Sequence, residues 1–168
     1  MTKLSMHAVS APAFVRMLNN LSAILTKAEN HAKAKDIDPA TLLNAKLAPD
    51  MFALIRQVQI ATDHAKGAAA RLTGTQIEAI EDTETSFAQL QARIRRVVAI
   101  VESFKPEQYD GAENREISVK IPNAELKFSG IDYVNHWAMP NFYFHIVTAY
   151  DILRANGVEL GKRDFLMS

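Results

Sequence analysis

Apolar residues recur at three- and four-residue spacing along four long stretches of this chain. That period, which only a helix converts into a continuous stripe, is the strongest constraint on the fold. In the first stretch Phe14, Met17, Leu18, Leu21, Leu25 and Ala28 share one face. Ser10 as N-cap with Pro12 in the first turn sets the expected start. The stripe fades by Lys35, and "DIDP" (36–39) breaks it, with Asp38-Pro39 suited to capping one short turn over "ATLLN". The second stripe is Leu54, Val58, Ala61, Ala65, Ala68 and Leu72, with Asp50 as the expected N-cap and Gly74 as the C-cap. Gly67, inside "AKGAAA", costs about 1 kcal/mol relative to alanine, and close approach of a neighbouring helix is the expected motive. The third stripe, Phe87, Leu90, Ile94, Val97, Val101 and Phe104, follows the acidic, capping-rich "DTETS" and ends before Pro106. The fourth helix is expected from Ile131 to Asn156, stopped by Gly157. It is apolar on nearly every side, as a helix buried by several neighbours is.

One segment has a different period. After the polar "PEQYDGAENR" (106–115), "EISVKI" alternates Ile117, Val119 and Ile121 with Ser118 and Lys120, and "ELKF" answers with Leu126 and Phe128. Pro122-Asn123 between them is turn chemistry. An isolated hairpin is marginal in water, so its apolar face must rest on the helices or on a partner chain. The expected architecture is all-α. It is a four-helix bundle with a small β-hairpin (about 116–129) between helices three and four, forming one domain over 1–168. The tail residues Phe165, Leu166 and Met167 are expected to dock.

Charge and composition narrow the function classes. A length of 168 residues suits one domain, and a 48% hydrophobic, 23% charged composition is that of a soluble globular protein. Lys plus Arg equals Asp plus Glu at 19 each, so no basic excess exists to hold a phosphate backbone, and nucleic acid is not an expected partner. "RIRR" (93–96), the one dense basic run, reads as a solvated face. With no cysteine, disulfides, thiolate zinc sites and cysteine nucleophiles are all excluded. The N-terminus lacks a signal-peptide core, and the apolar runs fall short of the ~18 residues of a membrane span. A cytoplasmic protein with no membrane partner is expected.

The chemistry-bearing residues concentrate in "HWAMPNFYFHIVTAYDILRANG" (136–157). His136 and His145 lie on opposite sides of a straight helix, about 13 Å apart along its axis, so one metal cannot take both; Pro140 can kink the helix without closing that gap. Trp137, Asn141, His145, Thr148 and Ile152 share a face instead, and Asn141 and His145 are i,i+4 neighbours, the spacing of paired ligands on metal-binding helices. On helix two, Gln59 and Thr62 flank the apolar stripe on one side and His64 on the other; one of them is expected to face His145. The candidate polar pocket is His145, Asn141, Gln59, Thr148 and Tyr150. Three roles are open to His145: a buried histidine satisfied by Asn141, Gln59 or Tyr150, a metal ligand, or a general base. His64 and His136 read as solvated or interfacial, and no role is assigned to His7 or His31. Trp137, Phe142, Tyr143, Phe144 and Tyr150 suit a core or subunit interface, or else the lining of an apolar ligand pocket.

The segments "KLAPDMFALIRQVQIATDHAKGAAARLTG", "DTETSFAQL" and "PNFYFHIVTAYDILRANGVELGKRDFL" resemble an uncharacterised bacterial family of the DinB/YfiT-like superfamily, whose members are regarded as metalloenzymes. The resemblance covers nearly the whole chain. It implies an up-down-down-up four-helix bundle, often dimeric. It also implies a divalent metal, zinc or nickel, held by three histidines: one on the second helix and two spaced i,i+4 on the last. Carried over residue by residue, His145 takes the second position of the i,i+4 pair and Asn141 the first. Gln59 takes the helix-two position, with His64 five residues further on. Amide oxygens are weak ligands for zinc or nickel beside imidazole, so a degenerate metal site is expected, with His145 and His64 as the candidate ligands. The implied function is an uncharacterised homodimeric bundle protein that binds a small ligand. The alternative is a metal-dependent hydrolase or thiol-dependent transferase of the superfamily type.

Overall fold

A computed structural model describes residues 4–167. The chain is mostly helical, with one two-stranded antiparallel hairpin. The long helices are α1 (Met6–Ala34), α3 (Leu54–Thr73), α4 (Phe87–Ser103) and α6 (Met139–Ala155), and a short α2 (Pro39–Leu43) follows α1. Helix α1 packs on α4, and α3 packs on both α4 and α6, while α1 also touches α3 and α6. The four apolar stripes meet in one core. Phe14, Leu18, Leu21, Leu54, Val58, Leu90, Val97, Phe142, Ile146 and Ile152 are all buried in it. Ala61, Ala65 and Ala68 are fully buried as well, and their small side chains leave room for α6 to lie close along α3.

Helix α1 begins earlier than its sequence suggests. Ser5 is the N-cap, its hydroxyl accepting from the Ala8 amide at 3.2 Å. Ser10, the expected cap, is buried and donates to the Met6 carbonyl. Pro12 therefore sits inside the helix, and the carbonyl of Ala8 loses its helical partner. Both residues are solvent-exposed, so water can take that carbonyl. Helix α3 is capped not by Asp50 but at Ala53, with no side-chain bond; the Leu54 amide donates to the Ala45 carbonyl at 2.9 Å instead. Gly74 ends α3 in the left-handed region (φ 69°), as its sequence position implies. Ser86 caps α4 by accepting from Gln89.

The hairpin pairs β1 (Glu116–Ile121) with β2 (Ala124–Ser129) across Pro122-Asn123. Ile117 and Val119 are buried while Ser118 and Lys120 are exposed, so one face rests on the helices as the alternation requires. Gly130 follows β2 and opens α5 (Gly130–Tyr133); a Cβ there would run into the Ala112 carbonyl, so the close approach needs glycine.

The last helix is not continuous. Between α5 and α6, residues Val134–Ala138 form a π-turn. In an unbroken α-helix the ring of Pro140 would meet the carbonyl of His136; widening the turn by one residue makes room, and Pro140 falls in the first turn of α6. The extra residue also rotates what precedes it by about 100° relative to α6. Trp137 accordingly packs against Phe128 of the hairpin, 5.9 Å between ring centroids. At the C-terminus α7 (Lys162–Leu166) docks through Phe165. Its carbonyl accepts from Asn20 at 2.8 Å and its ring meets Tyr150. Leu166 and Met167, also expected to dock, are exposed.

Candidate functional site: a histidine pair between α3 and α6

Helix α3 carries polar residues on two faces, and the structure separates them. Gln57, Ala61, His64 and Ala68 lie at i, i+4, i+7 and i+11, on the side that meets α6. Gln59, Thr62, Asp63 and Lys66 lie round the helix, toward α4 and the segment 75–86.

On the α6 side the rings of His64 and His145 stack, 5.8 Å between centroids and 17° from parallel. His145 Nδ1 is 2.7 Å from Gln57 Oε1. The amide of Gln57 is oriented by its other end, where Nε2 donates to the Phe52 carbonyl at 3.1 Å. An amide oxygen only accepts, so this network assigns the proton of neutral His145 to Nδ1 and leaves its lone pair on Nε2. The ring is further fixed by Phe144, edge-on at 5.3 Å. Burial lowers the pKa of His145, and the Arg56 guanidinium lowers it further. Burial, then His145, then Arg71 bring that of His64 down to about 4. Both imidazoles are neutral at pH 7.

The expected pocket residues divide. His145 and His64 come together. Gln59 is on the other face, donating to Glu84 at 2.9 Å and accepting from Arg56. Asn141 donates to the Trp137 carbonyl at 2.7 Å, and Thr148 to the Phe144 carbonyl at 2.7 Å. Tyr150 turns to Phe165. His136 is exposed, 3.9 Å from Asp132. Gln57, the partner of His145, was not singled out by sequence reasoning; its signal is the seven-residue step to His64, two full turns on one face.

These donors do not fit a three-histidine divalent centre. Among the described residues no group of three His, Cys, Asp or Glu side chains is assembled to hold a metal ion. Arg56 and Arg71, close enough to depress the two histidines, add positive charge that opposes a cation.

The second polar cluster centres on Arg93, which is 3% exposed; it is not the solvated residue its basic run suggests, although Arg95 and Arg96 are exposed. Its Nε donates to Thr62 at 2.7 Å, Nη2 to Asp63 at 2.9 Å, and Nη1 to Glu84 and the Glu81 carbonyl, both at 3.1 Å. Asp82 lies 3.0 Å from Nη1. Arg93 thereby ties residues 81–84 to α3 and α4. Every end of the guanidinium is taken, so this cluster is a strut rather than a place to hold a ligand.

The mostly helical chain with its hairpin after α4 is similar in fold to a DinB family member. A solved structure described as a DinB family member protein from Shewanella denitrificans matches with a TM-score of 0.88 and 43% identity, covering 97% of this chain and 92% of that one. Residues 6–166 match the family described as Domain of unknown function (DUF1993), and the chain belongs to that family. No curated protein matches.

Proposed function

We propose that this protein is a cytoplasmic, single-domain helical bundle that binds a small ligand at the His64–His145 pair and has no tight metal site. The observation that carries this is the pair itself. Two neutral imidazoles lie side by side, and His145 is held by Gln57 with Nε2 as its free basic nitrogen. Two nitrogens with no third strong donor, among guanidinium charges, make a poor seat for zinc or nickel. The test is metal analysis of protein purified without a histidine tag, followed by calorimetric titration with zinc and nickel. Substoichiometric metal and weak binding are expected. Stoichiometric metal that disappears in His145→Ala would overturn the assignment.

The protein is further proposed to act as a homodimer. Phe52 and Phe144 are each 57% exposed, and Val147 lies one turn from Phe144 on α6. Phe52 and Phe144 flank the Gln57–His145 contact, so this apolar surface borders the site. Sedimentation that gives the monomer mass at all concentrations would rule the dimer out.

The fixed tautomer of His145 favours a second reading: a metal-free transferase, in place of the metal-dependent hydrolase the superfamily resemblance implies. In it His145 Nε2 takes the proton of a bound low-molecular-weight thiol as the sulfur bonds to an electrophilic carbon of the second substrate and displaces its leaving group; the imidazolium returns the proton to that leaving group, and the Gln57 oxygen, accepting from Nδ1–H, steadies the imidazolium in between. His145→Gln would then abolish activity, whereas Gln57→Leu would reduce it partially.

A further inference from the structure

Arg71 stands seven residues beyond His64, two turns along α3 and on the same side. An arginine in the last turn of a helix ordinarily serves the negative end of the helix dipole. Here Arg115 has that task, donating to the carbonyl of Leu72. The Arg71 side chain folds the other way, back along the helix over Gly67. A Cβ at Gly67 would lie 2.6 Å from Arg71 Nη1. The glycine in "AKGAAA" thus makes room for a guanidinium rather than for a neighbouring helix.

Tyr133 holds the folded side chain in place. Its hydroxyl accepts from Nη1 at 3.3 Å, and its ring centroid is 5.9 Å from the guanidinium carbon. Among the described residues no carboxylate pairs with Arg71, unlike Arg56, which is joined to Asp82, and Arg93, which is saturated. Beside it opens a cavity of about 380 Å³, lined in part by Asp63, Lys66, Gly67, Arg71, Ile77 and Ile80. The one carboxylate there, Asp63, is engaged by Arg93 at 2.9 Å, with Lys66 at 3.7 Å. Arg71 is exposed, yet its side chain is seated against Gly67 and the Tyr133 ring and hydroxyl instead of being paired with a carboxylate.

We propose that Arg71 binds the anionic oxygen group of a small molecule, a carboxylate or a phosphate, whose remaining atoms occupy the hollow over Gly67. The planar guanidinium fork matches both groups. The cationic surroundings that disfavour a metal at the histidine pair favour such an anion. This rests on the ligand-binding role given above to the His64–His145 pair and names the chemistry of the ligand's charged end.

The test is titration of the tag-free, full-length protein with sodium phosphate and, separately, sodium acetate. Ionic strength is held constant with sodium chloride, and the ring resonances of His64 and His145 are followed by NMR. A saturable shift at His64 with either anion is expected, weakened at least about tenfold in Arg71→Gln, the loss of one charge-assisted hydrogen bond. Gly67→Ala, which displaces the guanidinium while keeping its charge, should weaken it too. Saturation with phosphate alone would assign a phosphate group, and with acetate alone a carboxylate. Linear, chloride-like shifts with both anions, or an Arg71→Gln variant that titrates as the unsubstituted protein does, would overturn the proposal. Neither result touches the role of the histidine pair, which fails separately if the purified protein carries stoichiometric metal.

Discussion

Helix α3 presents two polar clusters on two of its sides, and they differ in what their hydrogen-bonding groups are doing. Toward α4, the Arg93 guanidinium is bonded on every side, to Thr62, Asp63, Glu84 and the Glu81 carbonyl. Toward α6, His145 spends one nitrogen on Gln57, and no hydrogen bond to the His64 ring forms among the described residues. Arg93 is buried while His64 and His145 are only half-buried, and the two clusters serve different ends. A saturated network fixes the chain, whereas a partly satisfied pair keeps lone pairs available. The polar cluster with the most contacts is therefore the less promising place for function.

Removing the hub of the saturated cluster should have the largest effect. Arg93→Ala leaves the buried Glu84 without its guanidinium, and chemical denaturation should show a loss of roughly 3–5 kcal/mol. A loss below about 1 kcal/mol would mean that the ion pairs are not holding residues 81–84 in place.

The second effect separates the histidine pair by pH. The pKa of His64 is lowered from 6.5 to about 4 by folding, burial being the main cause. Between these values the unfolded chain binds a proton that the native state does not. Stability is therefore full above pH 6.5 and falls as pH drops toward 4. The contribution is about 3 kcal/mol, reckoned at 1.36 kcal/mol per pKa unit. It should appear as the difference between the unfolding free energies of the protein and of His64→Gln across that window. Parallel curves for the two proteins would contradict a neutral, half-buried His64.

Smaller again is Gln57→Leu. It deletes the acceptor of His145 and should cost about 1–2 kcal/mol in the same denaturation assay. An unchanged midpoint would mean that the contact does not order the ring. Smallest is a control on unsatisfied burial elsewhere. The Tyr109 hydroxyl is buried with no hydrogen-bond partner among the described residues, and burial pushes its pKa up to about 12. Tyr109→Phe should be neutral or stabilising by up to about 1 kcal/mol; a clear loss would reveal a partner for that hydroxyl.

Much of the fold was legible because one physical cause dominates it. Stripes such as Leu54–Val58–Ala61–Ala65 and Leu90–Ile94–Val97 state the helical period directly, and Ile117 and Val119 state the hairpin just as plainly. Features set by contacts across the chain were not legible. Ser10 resembles a cap and is a buried residue, because Ser5 caps one turn earlier. Pro140 announces a disturbance, but not that a π-turn would absorb it. At the site, each step along a helix turns the side chain by about 100°. Choosing Gln59 rather than Gln57 therefore moved the expected partner of His145 round to the Arg93 side. Periodicity places a residue on a face but does not say which neighbour that face meets. For the same reason His64 and Arg93, which look like solvated polar residues, are half-buried and buried respectively in the two clusters that matter most.

The site between α3 and α6 depends on the protonation of its two imidazoles, which long-range proton–nitrogen NMR of the histidine side chains at pH 7 reads directly. Both rings should be neutral, with the His145 proton on Nδ1, and His64 should take up a proton only below pH 5. A cationic ring at pH 7, or a His145 proton on Nε2, would contradict it.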